Sequence, residues 1–196
     1  MINIAVFVSG GGTNCERLIQ HFKGHNRYKI ALVVSNKKDA PAIDKAERYG
    51  VKAVVMEKSK LNNPKEFLPL MTLYGIQFIV LAGFLPIIPD YLIEAYPNRI
   101  INLHPALLPK FGGKGMWGHH VHEAVKQSGD TQTGMTVHFV TSVCDGGQII
   151  AQVKCDILPS DTVDDIASKE HELEMRHFPI ITQEVLDKSF NSFLLQ

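Results

Sequence analysis

The chain has no excess of either charge: 20 Lys and Arg stand against 20 Asp and Glu in 196 residues. That balance argues against broad binding to nucleic acid or to anionic membrane. No apolar run is long enough to span a bilayer. The start, Met1 to Val8, lacks a basic leader and is expected to form a first strand and not a signal peptide. Cysteine is scarce. Cys15, Cys144 and Cys155 have no zinc-like spacing, which points to reduced thiols in a cytoplasmic protein. In His119-His120-Val121-His122-Glu123 the helical zinc spacings are missing, because Lys126 stands four residues after His122. No metal is therefore expected, and these histidines are read as capping and packing. Repeats, low-complexity tracts and linkers are also lacking. With 45% hydrophobic residues, the composition suits one domain over residues 1–196.

What is present is an alternation of apolar strands and amphipathic helices. Strands are expected over residues 2–8, 28–35, 51–56, 76–81 and 99–103. Helices are expected over 14–23, 41–49, 64–74 and 89–96, with Gly50 and Gly75 ending two of them. Continuous apolar strands imply sheet faces covered on both sides. The expected fold is α/β: a doubly wound, mainly parallel, Rossmann-like sheet. After residue 130 the pattern changes. Strands over 133–140 and 148–157 have no helix between them and predict an antiparallel pair. A C-terminal helix follows over about 162–186, with Ser160 or Asp161 as its cap and a break or kink at Pro179.

Two segments carry chemistry. Ser9-Gly10-Gly11-Gly12-Thr13-Asn14 follows the first strand and opens the first helix. Free amides at a helix start, approached through glycines, favour an anion such as phosphate. A dinucleotide fingerprint needs glycine where Cys15 stands, and an acidic residue where Asn36-Lys37-Lys38 stands. No Walker lysine follows either. A small phosphorylated substrate fits better. The second segment is Ile101-Asn102-Leu103-His104-Pro105-Ala106-Leu107-Leu108-Pro109, completed by Asp145-Gly146-Gly147. An amide can hold a developing oxyanion, an imidazole can move a proton, and a carboxylate can tune the imidazole. Cys144 is also a candidate nucleophile, but its plainer reading is a small loop residue.

These segments, with Leu81-Ala82-Gly83-Phe84 and His138-Phe139-Val140, resemble the folate-dependent formyltransferases, and among them those acting on glycinamide ribonucleotide in purine synthesis. The resemblance covers residues 2 to 186. It implies transfer of a formyl group from 10-formyltetrahydrofolate, as cosubstrate, to the amine of glycinamide ribonucleotide. Asn102, His104 and Asp145 would be catalytic, His104 acting as imidazolium and Asp145 relaying protons through water. Gly12, Thr13, Asn14, His171, Glu172, Leu173 and Glu174 would bind the ribonucleotide. Leu85, Pro86, Ile87, Ile88, Asn102, Thr141, Ser142, Val143, Cys144 and Asp145 would hold the folate, with Ile93 and Ile100 walling the pocket. Residues 1–100 would form a phosphate-binding half and 101–196 a catalytic and folate-binding half. His138 is expected inside a strand, satisfied by a hydrogen bond. The partners are small molecules, with no nucleic acid or membrane, in a monomer or homodimer.

Pro64 and Pro86 stand where this family commonly has arginines toward the folate, and Lys65 is a substitute for the first. The loop Gly112 to Gly118 is longer and richer in glycine than usual. It is expected either to close over the site or to be a neutral insertion. Methionyl-tRNA formyltransferase would need a further C-terminal domain. Formyltetrahydrofolate hydrolase would need an N-terminal one and would use water as acceptor. A non-catalytic nucleotide-binding module is the alternative outside this chemistry.

Overall fold

The computed structural model describes residues 1–191; the last five residues of the expected domain lie outside the described ones. Strand β1 (Ile2–Val8) leads through the glycine loop into α1 (Thr13–Phe22), followed by β2 (Tyr28–Ser35), α2 (Pro41–Arg48) and β3 (Lys52–Val55). A short α3 (Lys58–Leu61), not anticipated from sequence, precedes α4 (Pro64–Leu73) and β4 (Ile76–Leu81). Then come α5 (Asp90–Ala95), β5 (Ile100–His104), α6 (His119–Ser128), β6 (Gln132–Phe139), β7 (Ile149–Asp156) and α7 (Val163–Asn191). The seven strands form one sheet in the order β3-β2-β1-β4-β5-β6-β7. The first five are parallel, and β6 and β7 are antiparallel to their neighbours.

Alternation in β1 builds the core on both faces. Ile4, Val6 and Val8 pack toward α1, α2 and α7, with Leu18, Phe22, Ala42, Phe178 and Leu186. Ala5 and Phe7 pack toward α4 and α5, with Phe67, Met71 and Leu92. Ile100 is buried in this second core and Ile93 packs against it; neither lines the cleft beside Leu85 to Ile88, where they are expected. The chain leaves β1 in one direction and β4 in the other. Their C-terminal ends therefore flank the crevice where open α/β sheets bind ligands. The two loops there are tied together: the Ser9 N–H donates to the Gly83 carbonyl at 3.0 Å, and the Leu85 N–H to Ser9 Oγ at 2.9 Å.

Two expectations about α7 are corrected. Its cap is Thr162 and not Ser160 or Asp161: the Asp165 N–H donates to Thr162 Oγ1 at 3.1 Å, and the Thr162 N–H to Asp165 Oδ2 at 2.8 Å. Asp161 instead accepts from the Leu158 N–H and pairs with Lys169. Nor does Pro179 break the helix. Proline cannot donate to the carbonyl one turn back, on Met175. Arg17 Nε of α1 donates to that oxygen instead, at 3.4 Å. Phe178, fully buried, holds the same turn against the sheet. Phe178→Ala should lower unfolding free energy by about 3–5 kcal/mol, measured by urea denaturation; a loss under about 1 kcal/mol would show that the turn closes without it.

Candidate active site

Side chains two apart on a strand share a face. Asn102 and His104 thus leave the end of β5 together. Antiparallel pairing sets His138 opposite Asn102 and Thr136 opposite His104. Asn102 Nδ2 lies 3.1 Å from His138 Nε2. An amide nitrogen only donates, so the ring nitrogen accepts, and His138 Nδ1 donates to the Phe139 carbonyl at 2.9 Å. This contact fixes which way the Asn102 amide faces and leaves its second N–H for a ligand. His104 is 3% exposed. Its Nε2 donates to the Phe111 carbonyl at 2.7 Å, which leaves Nδ1 as the basic atom, 3.7 Å from Asp145 Oδ2. Asp145 Oδ1 lies 3.6 Å from His138 Nε2, and the Gly113 N–H donates to Asp145 Oδ2 at 2.9 Å.

Asp145 is held at φ 53°, a left-handed conformation that aspartate tolerates at some cost. The next glycines fix it there. A Cβ on Gly147 would lie 1.7 Å from the Phe139 carbonyl oxygen, so only glycine lets the loop pass that strand. The backbone beyond His104 is pinned from below. Thr136 Oγ1 donates to the Ala106 carbonyl at 2.6 Å and accepts from the Leu108 N–H at 3.1 Å. Gln152 Nε2 of β7 donates to the Leu108 carbonyl at 2.9 Å.

Burial lowers the His104 pKa below its ordinary value, although the Asp145 charge and the Phe111 carbonyl pull it back up. The lowered pKa favours a neutral ring, and the imidazolium that the resemblance implies then forms when that ring takes a proton. Burial pushes the Asp145 carboxyl up, but His138, the Gly113 N–H and His104 outweigh it and keep the group ionised. The Cys144 thiol is raised by burial and by Asp145, so nothing generates a thiolate there.

Two clefts meet at this constellation, and a third adjoins the second through Leu103, Pro105 and Trp117. The first, about 520 Å³, is lined by Leu85 to Ile88, Val140, Asn102, His138 and Thr141 to Asp145. It gathers all the residues assigned to folate by resemblance, Pro86 included. Pro64 lies elsewhere, at the start of α4. The second, about 840 Å³, is lined by Asn102, His104, Asp145 and the loop Gly113 to Gly118. That loop is thus part of the site. The third, about 1000 Å³, is lined by Ser9 to Asn14, Lys37, Pro105, Trp117 and Glu174. Lys37 and Trp117 escaped the sequence reading; Lys37 was noted only as the residue standing where an acid was wanted.

The helix start at this third cleft carries no side-chain cap on Gly12. Asn14 Nδ2 donates to Glu174 Oε2 at 2.8 Å. Of the other residues expected near the ribonucleotide, Leu173 packs against the core. His171 and Glu172 line an open groove with Arg17, and His171 lies 3.3 Å from Glu174, which raises its pKa. The histidines of α6 pair with carboxylates. His119 and His120 face Glu123 at 3.4 and 3.6 Å, and His122 meets the buried Glu170 at 2.5 Å.

A neutral imidazole backed by an ionised carboxylate, beside an amide with a free N–H, is equipped for acyl transfer between two bound substrates. Residues 2–182 match the formyl transferase family, and the chain belongs to it. It is 39% identical to phosphoribosylglycinamide formyltransferase, chloroplastic, of Arabidopsis thaliana, over 92% of this chain and 65% of that relative's length. It is 34% identical to phosphoribosylglycinamide formyltransferase of Bacillus subtilis, over 95% of both chains. Among solved structures, phosphoribosylglycinamide formyltransferase from Bacillus halodurans is 30% identical, with a TM-score of 0.86 over 96% of this chain and 97% of that one.

The glycines of the first loop differ in duty. Gly12 has φ 69°, and a Cβ there would lie 2.4 Å from the Ala42 Cβ, whereas Gly11 has open space. Gly12→Ala should lower the melting temperature by several degrees and Gly11→Ala by almost none, as read by calorimetry; equal effects would contradict the close approach of α1 and α2. Asp145→Asn should move the His104 pKa further down, followed by NMR titration of the ring. An unchanged or raised value would mean that the carboxylate charge does not reach it.

Proposed function

We propose that the protein transfers the formyl group of 10-formyltetrahydrofolate to the amino group of glycinamide ribonucleotide, giving formylglycinamide ribonucleotide and tetrahydrofolate. The observation that carries this reading is the placing of Asn102, His104 and Asp145 between an apolar cleft and a phosphate-type cleft. The apolar cleft suits a pterin, with Asn102 and Asp145 at its inner end. In the other cleft, Gly10 to Asn14 and Lys37 would hold the phosphate, and Glu174 would accept from the ribose hydroxyls. The two-half division, the reduced cytoplasmic setting and the small-molecule partners belong to the same reading; Cys15, Cys144 and Cys155 are all free.

Attack of the amine on the formyl carbon makes a C–N bond and an oxyanion. The free Asn102 N–H donates to that oxygen. His104 Nδ1 takes a proton from the attacking nitrogen, and the imidazolium so formed is stabilised by Asp145 and by the Phe111 carbonyl. His104 then gives a proton to the folate nitrogen as its bond to the formyl carbon breaks. Asp145 stays ionised throughout. Holding both substrates in adjoining clefts supplies much of the acceleration. Folate turnover should require the ribonucleotide. Equal turnover without it would favour the hydrolase reading. Asp145→Asn should cut kcat by roughly 10²-fold while barely changing ribonucleotide binding, measured by steady-state kinetics and calorimetric titration.

A further inference from the structure

The chain has a single tryptophan, and Trp117 leaves half of its surface exposed. Its loop is well accounted for. Gly113, Gly115 and Gly118 lie at φ 99°, 94° and 57°, and the Gly113 N–H is bound to Asp145. Its side chain is not accounted for by packing: the aromatic ring against it is that of His120, edge-on at 5.4 Å and itself exposed. Trp117 lines both the reaction cavity and the phosphate-type cleft, but not the apolar cleft. Leu103 and Pro105 share those two cavities with it. These three apolar groups therefore flank the passage from the glycine loop to His104. Glu174 reaches the same cleft, with one carboxylate oxygen held by Asn14. A passage with a carboxylate and an apolar aromatic wall suits a sugar, whose hydroxyls need acceptors and whose C–H face packs well on an indole.

We propose that Trp117 is an acceptor-binding residue, its ring forming the apolar wall against the pentose of a pentose 5-phosphate amine. The proposal rests on the transferase reading above. Indole emission from this protein arises from this ring alone, so binding is read directly. Glycinamide ribonucleotide and ribose 5-phosphate should each change the emission saturably, and inorganic phosphate alone should not. Trp117→Ala should raise the acceptor KM about tenfold, with the folate KM within about twofold; Trp117→Phe should recover most of the loss. Silent emission in an enzyme that turns over, an unchanged acceptor KM, or an equal rise in both KM values would each overturn the assignment. Failure of the unsubstituted enzyme to use the ribonucleotide at all would overturn the transferase reading and this inference with it.

Discussion

The antiparallel pairing of β5 with β6 sets the separation of nearly every group that does chemistry here. Opposed residues on antiparallel strands hold their Cβ atoms roughly 5 Å apart. His138 therefore stands across from Asn102 and Thr136 across from His104, although α6 lies between the two strands in sequence. One pair orients the Asn102 amide. The other pins the backbone that carries the imidazole.

The same pairing explains the electrostatic division of labour. Enclosure by β6 and by the loop that ends in Asp145 strips water from His104, which keeps its ring neutral at rest. Asp145 accepts the Gly113 N–H and faces two imidazoles, and so remains charged although its side chain is only 12% exposed. A neutral base beside a fixed anion can accept a proton during the reaction without a reorganising solvent shell. That is a better starting condition for attack by an amine than an imidazolium already formed.

The sequence was most readable where function lies in contiguous residues. Asn102 and His104 are two apart, and Asp145 sits in a turn that glycines announce, so the sheet and the three residues that gather at its edge could be picked out directly. His138 was legible as a buried strand histidine but not as the partner of Asn102, because that contact spans 36 residues and depends on register. Lys37 and Trp117 reach the clefts only through loop geometry. Pro179 misled for a physical reason: its cost depends on whether another side chain claims the freed carbonyl, and Arg17 lies 158 residues away in sequence. Leu173, partly buried, packs against the core, whereas its buried neighbour Glu174 lines the cleft, a difference of one position that motif alignment cannot resolve.

The bond from Arg17 to Met175 has a consequence of its own. It fastens α1 to α7, and the hydrogen bond between Asn14 and Glu174 fastens them again one turn away. The helix start at the glycine loop and the Glu174 carboxylate are thus held to one another. Together they act as a gauge of fixed span. In the function proposed above, a phosphorylated ligand whose hydroxyls lie one carbon too near or too far would leave one end of that span unengaged.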